Sequence, residues 1–566
     1  MLDSFYSVLA PLNLVTLLAT IAALLIVLPF VLDHLSYPRA LGTKHRPDLY
    51  TPKGTLPFLG LQLRILQWQD RQPELQVQLW TEHRASGDKR ALSHTILGGR
   101  FVTLHKSEHI EWMQRTNFKN YAKGQKFREV MSQVLGHGIF TSDGLLWNLQ
   151  RKATARVFTN STYRGIISSS ISRTVDDFLA LLSHFSSSAE PQEINLSKVF
   201  FSATLDTFCD MAFSTKPGAL EGEKEGKSVP FAAAFDSTQQ VMARRFQQPF
   251  WPIIEFLTGT RASMHRAVSV VHSYANEMIE KREKELDARR AAAVGGDGGG
   301  GTGVDGQEGE GEDLLAIFLG IRDEDGKGLE RQTVRDAVIN LLIAGRDTTA
   351  STLSWLGYHL LRHPPHIDGI RAEATALDIG GESGKMLEFD QMKEVDWTMA
   401  CWYEAARLHP SVPVNFWTAL RDDQFPAGGP RVEKGDFVAW SDWTLHRDSL
   451  NWGDDAGTFN PQRWLHPDGK GKMRFSKESE YKMHAFNGGR RRCLGETLAT
   501  FEGLSLLLSL FSTFDLRFAD DYLENTEMVK TEWCQEETPR YQNALTLPML
   551  EPLRVVVTKR NVDGSA

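Results

Sequence analysis

The order of apolar and polar positions divides the chain before any motif is considered. Leu14 to Leu32 is an uncharged, largely aliphatic run, interrupted by Thr16, Thr20 and Pro29. At about 1.5 Å per residue it reaches roughly 28 Å as a helix, enough to cross a hydrocarbon core of about 30 Å. The start carries Asp3 and no Lys or Arg, whereas Arg39, Lys44, Arg46 and Lys53 follow the run. A cleaved signal peptide has a basic start, a shorter apolar core and a small-residue cleavage site. This charge order predicts instead that residues 1–36 form a luminal tip and a transmembrane signal anchor, with the bulk of the chain facing the cytosol. Tyr37-Pro38 and Thr51-Pro52-Lys53-Gly54-Thr55-Leu56-Pro57 predict a stiff, turn-rich hinge over 37–60.

From Gly60 to Leu286 the pattern is mostly helical, with early strand candidates such as Phe101 to Leu104. Ala291 to Asp313 is rich in Gly, Asp and Glu, with Val294 and Val304 its only large apolar residues, and is expected to be a disordered loop. The clearest helix follows, with Thr333 and Asp336 as a capping box and Pro364-Pro365 as the stop. Val334, Val338, Leu341, Leu342, Leu353, Leu356 and Leu360 make most of its circumference apolar. A helix of this kind, roughly 45 Å long, must be buried through its middle. A second helix runs from an Asp396 cap to Leu408 and is stopped by Pro410. Alternation over Arg431 to Trp440 suggests short strands, and Leu494 to Phe514 reads as a last long apolar helix. The expectation is one large domain over 61–566, mainly α with small β-sheets.

Composition narrows the partners. Hydrophobic and charged shares of 41% and 24% are ordinary for a globular chain. A net charge of −8 with no long basic run argues against nucleic acid. The four cysteines, Cys209, Cys401, Cys493 and Cys534, are far apart and form no CxxC pair, so neither a zinc site nor a disulfide framework is suggested. Gly301-Thr302-Gly303-Val304-Asp305-Gly306 fits GxGxxG, but no apolar strand precedes it and no helix opens after it, so dinucleotide binding there is rejected. Gly384-Lys385 fails as a phosphate loop, because Ile379 holds the first glycine position and Met386 replaces the Ser or Thr.

Phe486-Asn487-Gly488-Gly489-Arg490-Arg491-Arg492-Cys493-Leu494-Gly495 carries the chemistry. The glycines let a loop pass close to something flat and bulky. Cys493 sits at the mouth of a helix, where the dipole and free amides favour a thiolate. Arg491 can neutralise a nearby acidic group. An anionic sulfur with cations beside it is what a thiolate-ligated haem needs, for its iron and its propionates. The stretch resembles the haem-binding signature of cytochromes P450, FxxGxRxCxG, with Phe486, Gly489, Arg491, Cys493 and Gly495 at every fixed position.

Three further segments support that resemblance. Glu404 and Arg407 lie on one helical face among Trp402, Tyr403, Ala405, Ala406 and Leu408, so their pair should be buried and needs a third partner. The resemblance supplies Arg463, from Phe459-Asn460-Pro461-Gln462-Arg463-Trp464, in a structural role that holds the cysteine loop. Ala344-Gly345-Arg346-Asp347-Thr348-Thr349 is poor helix-making material at the centre of an apolar helix. Hydroxyls there can bond back to the backbone, open a kink and admit water. It is similar to the family's oxygen-activation motif, of which Ala344 and Gly345 are part, and the resemblance implies that Thr348 stabilises bound dioxygen and Asp347 feeds protons, so that O–O cleavage wins over peroxide release. Trp147-Asn148-Leu149-Gln150-Arg151 is similar to the family's WxxxR, which implies that Trp147 and Arg151 contact a haem propionate.

The resemblance runs from the anchor to about Phe518 and is nearest to the fungal branch that ω-hydroxylates long-chain alkanes and fatty acids. It implies haem b as cofactor, O2 and a lipophilic substrate, NADPH–cytochrome P450 reductase as electron donor, and the endoplasmic reticulum membrane as location. The alternatives are oxidation of a secondary metabolite or xenobiotic, and a reductase-independent haem-thiolate isomerase or dehydratase, which the Asp347–Thr348 pair speaks against. Val414 and Trp417 stand where that branch usually has Arg, and Arg490 stands in place of a usual Pro.

Overall fold

The computed structural model describes residues 14–187, 192–295, 313–322, 326–380 and 384–560. In chain order the elements that position the site are α1 (Leu14–Ser36), β1 (Leu49–Tyr50), β2 (Ala91–Ile96), β3 (Gly99–Leu104), β4 (Tyr121–Ala122), α2 (Gly144–Ala155), α3 (Leu196–Phe213), α4 (Pro230–Arg245), α5 (Thr260–Gly295), α6 (Arg331–Arg362), α7 (Trp397–Leu408), β5 (Val414–Ala419), β6 (Phe437–Ser441) and α8 (Glu496–Thr513). Helices dominate, and the largest sheet has six strands in the order β1-β2-β3-β6-β5-β4. Its β1–β2 and β3–β6 pairs are parallel and the others antiparallel. The core packs α3 and α8 against α6, whose Trp355, Leu356 and Leu360 are fully buried.

α1 is long and apolar enough to cross a membrane, and its Leu25 and Ile26 side chains are about 70% and 73% exposed. An apolar helix left uncovered by its own protein calls for an apolar environment. Asp3 lies outside the described residues.

The stretch 37–60 differs from the hinge expected of it. β1 lies inside it and pairs with Ala91 and Leu92. The Ala40 N–H donates to Thr95 Oγ1 at 2.9 Å, and Phe58 stacks on His34 at the base of α1 with 4.9 Å between ring centroids. Proline and glycine made it turn-rich, but its backbone groups found partners on the sheet, so it is part of the folded domain.

Both predicted helix caps also differ. α6 begins at Arg331, and its N-terminal Glu330 makes no side-chain cap. Asp336, expected to serve a capping box with Thr333, is buried and accepts from the His137 N–H at 2.9 Å. At α7 the Asp396 carboxylate turns away to accept from the Phe475 N–H at 2.9 Å. The cap comes from Glu373, which accepts from the amides of Asp396, Trp397 and Thr398 at 2.7, 2.6 and 2.8 Å. Free helical amides need an acceptor, and one from another helix serves as well as a local one.

α5 continues through Gly295, into the stretch expected to be disordered from Ala291. Consecutive alanines there favour helix. At the other end Asp313 caps the next helix, accepting from the Ala316 N–H at 2.8 Å, and pairs with Arg282 at 2.7 Å. The remainder, 296–312, with the rejected GxGxxG match, lies outside the described residues. α8 is shorter than Leu494 to Phe514, because Phe514 opens a strand paired with Lys559.

Candidate active site

The cysteine loop is made of two short 3-10 turns, His484–Phe486 and Gly489–Arg491, closed by the Cys493 N–H donating to the Phe486 carbonyl at 2.8 Å. Gly489 has φ of 59°, and a Cβ there would lie 2.4 Å from the Gln114 carbonyl oxygen. Only glycine fits both the conformation and the approach. Cys209, Cys401 and Cys534 are buried, whereas Cys493 is exposed. Desolvation by the surrounding protein pushes its thiol pKa up, while the Gly495 amide, Arg151, Arg492 and Lys477 pull it down.

Cations surround the cysteine loop. Arg151, on α2, has no ion-pair partner among the described residues, and burial lowers its pKa against the pull of Cys493. Arg491 pairs with Asp143 at 2.7 Å, donates to the Ser142 carbonyl at 3.0 Å and lies 4.6 Å from the Trp147 ring centroid. Lys123 is buried, donates to Asn415 Oδ1 at 3.1 Å, and is pushed down to about 7 by burial, with Arg491 adding to the effect and Asp143 opposing it. Trp417 on β5 is buried, sits 5.8 Å from Arg491, and keeps its Nε1 without a hydrogen-bond partner. The structure thus joins Trp147 to Arg491, and places Arg151 where its charge and that of Cys493 interact. Sequence reasoning missed Lys123 and Asp143, whose only signal was a Lys before a glycine and an Asp before α2.

These features fit a haem. An accessible thiol, a glycine cradle, surplus cations and an orphaned indole N–H suit a thiolate ligand and two carboxylates.

Across α6, Ala344, Gly345 and Thr348 are half-buried at the middle of an otherwise buried helix. Thr348 Oγ1 donates to the Ala344 carbonyl at 2.8 Å, and the Thr348 carbonyl accepts from Thr352 Oγ1 at 3.0 Å and Ser411 Oγ at 3.1 Å. These bonds coexist with an unbroken α-helix. Gly345 serves packing, as a Cβ there would lie 2.0 Å from the Phe208 ring on α3. Asp347 faces α4, where it accepts from Gln239 Nε2 at 2.6 Å and from its neighbour Arg346 at 3.0 Å. Burial pushes its pKa above the usual carboxylate range, while Arg346 and Gln239 hold it back. No hydrogen bond joins Asp347 to Thr348 among the described residues, since successive helical residues point about 100° apart.

Glu404, Arg407 and Arg463 are brought together. Arg407 makes a bidentate pair with Glu404 at 2.8 and 2.7 Å, both side chains fully buried, and Arg463 Nε reaches Glu404 at 3.0 Å. Glu404 also accepts from Trp464 Nε1 at 2.9 Å and the Asn460 N–H at 2.8 Å. Arg463 carries Asp455 at 2.9 Å as a second anion. Every lone pair of the buried carboxylate is occupied, the condition for such an ion cluster to be stable.

The family model for cytochrome P450 matches residues 52–538. The chain is 36% identical over 526 residues to "Cytochrome P450 monooxygenase cyp1" of Mycosarcoma maydis, covering 92% of this chain and 77% of that one. "Cytochrome P450 86B1" of Arabidopsis thaliana is 31% identical over 435 residues, 75% of this chain and 73% of its own. "Cytochrome P450 CYP94D108" of Paris polyphylla is 27% identical over 491 residues, with coverages of 86% and 89%. With the thiol, the cation cluster and the mid-helix hydroxyl in place, this chain belongs to the cytochrome P450 family and is a monooxygenase.

Proposed function

We propose that this protein is anchored in the endoplasmic reticulum membrane by residues 1–36. Its cytosolic part holds haem b through Cys493 and hydroxylates a lipophilic substrate, with the terminal carbon of a long alkane or fatty acid as the leading target. The observation that carries the reading is the accessible Cys493 thiol in a loop closed on Phe486, with Arg151, which has no ion-pair partner among the described residues, close enough to interact with its charge. Haem, when bound, supplies the redox-active iron that activates O2. Arg151, Arg491 and Lys123 would offset the charge of its carboxylates, and Trp147 and Trp417 flank Arg491.

Thr348 offers a hydroxyl at the half-buried face of α6, held by the Ala344 carbonyl. Asp347, raised by burial, can hold a proton at a carboxylate oxygen, and Gln239 orients that carboxylate. Arg346 links it onward to Asp236 at 2.6 Å, whose side chain is half-exposed, so the buried acid connects to the surface. Electrons come from a partner, NADPH–cytochrome P450 reductase, because the chain carries no credible flavin or nicotinamide motif.

The substrate class is supported by rings. Phe416 on β5 lies edge-on to Phe101, Phe246 and Phe437 at 5.5, 5.8 and 5.4 Å, with Phe127 at 6.0 Å. This half-buried apolar wall suits an alkyl chain, and equally an aromatic xenobiotic or secondary metabolite, which is the second reading. With Val414 and Trp417 in place of Arg, the strand offers no cation of its own to a fatty-acid carboxylate, which favours the alkane over the acid.

The reduced, carbon-monoxide-treated protein should show a thiolate-type Soret band that Cys493→Ala abolishes. A wild-type spectrum without that band overturns the ligand assignment. Binding spectra with alkanes, fatty acids and aromatic ligands then separate the substrate readings, and NADPH- and O2-dependent turnover in microsomes tests the electron source.

A further inference from the structure

The C-terminal end of α6 carries a second constellation. His359 and His363 are four residues apart and so share one helical face. Glu536, from the chain after α8, approaches them. A nitrogen of each imidazole and a carboxylate oxygen of Glu536 all lie within 4.8 Å of one another. The three residues line a cavity of about 170 Å³ together with Tyr358, Arg362 and Glu537. We propose that His359, His363 and Glu536 form a binding site for a divalent borderline metal ion, zinc by preference.

Three observations support the site. His363 Nε2 and Glu536 Oε2 are 3.4 Å apart, close to the roughly 3.4 Å that bonds of about 2.1 Å impose between tetrahedral ligands. Nδ1 of His359 is buried without a hydrogen-bond partner, although the ring is only 1% exposed. A buried polar atom in that state calls for a ligand. Nε2 of His359 meets Nε2 of His409 at 2.9 Å, and His409 is clamped flat on Trp355 with 3.9 Å between ring centroids. If His359 donates from Nε2, its Nδ1 holds a lone pair, and His409 becomes the outer-shell acceptor that metal-bound histidines ordinarily have.

Among the lining residues the carboxylates of Glu536 and Glu537 face one cation, Arg362, while Lys530 pairs with Glu537 from outside at 4.0 Å. His363 and Glu536 side chains are 37% and 29% exposed, which leaves a path of entry and an open fourth position for water. A bound ion would tie the end of α6, the helix bearing Asp347 and Thr348, to the C-terminal chain and, through His409, to the end of α7.

The test uses haem-loaded, full-length protein without a histidine tag, dialysed against zinc and analysed for metal. One zinc per chain beyond the haem iron is expected, with affinity at least tenfold weaker in His363→Ala and in Glu536→Gln. Both ligands are partly exposed, and an unchanged carbon-monoxide spectrum certifies that the variants fold. Cobalt in place of zinc should give the visible bands of a four-coordinate site. Wild type that retains no zinc, or variants that retain it undiminished, overturn the proposal. His366 is the neighbouring imidazole, its ring centroid 5.8 Å from that of His363, and loss in His366→Ala with retention in Glu536→Gln overturns the ligand set.

Discussion

The His484 N–H donates to Nε2 of His446 at 2.9 Å, and that contact joins the buried ion cluster to the cysteine loop. Nδ1 of His446 faces the Arg407 carbonyl at 2.9 Å. Further along, Nδ1 of His484 meets Asp442 at 2.7 Å and its Nε2 meets Gln114 Oε1 at 3.0 Å. The same Gln114 oxygen accepts from the Gly488 N–H at 3.1 Å, five residues before Cys493. Glu404 and Arg407 thus act on the loop through a buried hydrogen-bonded chain rather than by contact.

Gln114→Leu should leave the Gly488 amide and a His484 nitrogen unsatisfied, at a cost of about 1–3 kcal/mol for each buried group. The expected outcome is folded protein whose thiolate-type carbon-monoxide band is lost at lower temperature than in wild type. A band as heat-stable as wild type would show that the chain does not support the loop.

Glu404→Gln removes one charge from a fully buried cluster and leaves two arginines facing a neutral amide. Breaking such a cluster costs about 3–5 kcal/mol. Loss of haem-loaded protein on expression, read as the ratio of Soret to total protein absorbance, is expected to be severe.

Thr348→Ala should keep the haem and the thiolate band, because among the described residues the hydroxyl bonds only to its own helix. Consumption of NADPH should continue while a larger share of electrons appears as hydrogen peroxide. Hydroxylation as efficient as wild type, without extra peroxide, would remove Thr348 from the proton route.

Glu502 on α8 is buried, has an oxygen without a partner, and is pushed up from 4.5 to about 8 by burial. A carboxyl raised on folding contributes fully below its unfolded pKa, and the contribution is lost as pH rises through the folded value. Stability should therefore fall between about pH 5 and pH 8, by on the order of a few kcal/mol from this group. Glu502→Gln should flatten that fall, giving a Tm gain over wild type that grows with pH. Parallel Tm profiles for the two proteins would remove Glu502 as its source.

The amino-acid order alone determined whatever is local. The uncharged run Leu14 to Leu32, the apolar circumference of α6 and the Gly-Gly-Arg-Arg-Arg-Cys loop each record their conformation in their own residues. The spacing of Glu404 and Arg407 on one face among apolar residues likewise specifies a buried pair. Tertiary structure decided the partners. Glu373 caps α7 in place of Asp396, Gln239 and Arg346 hold Asp347, and Lys123 and Asp143 neighbour Arg491. Each of these joins segments distant in sequence, apart from the Arg346 contact, and a hydrogen bond carries no periodicity by which a distant acceptor could be recognised. The stretch 37–60 makes the same point, because its prolines and glycines specify turns, and only the neighbouring edge of β2 makes one of its segments a strand.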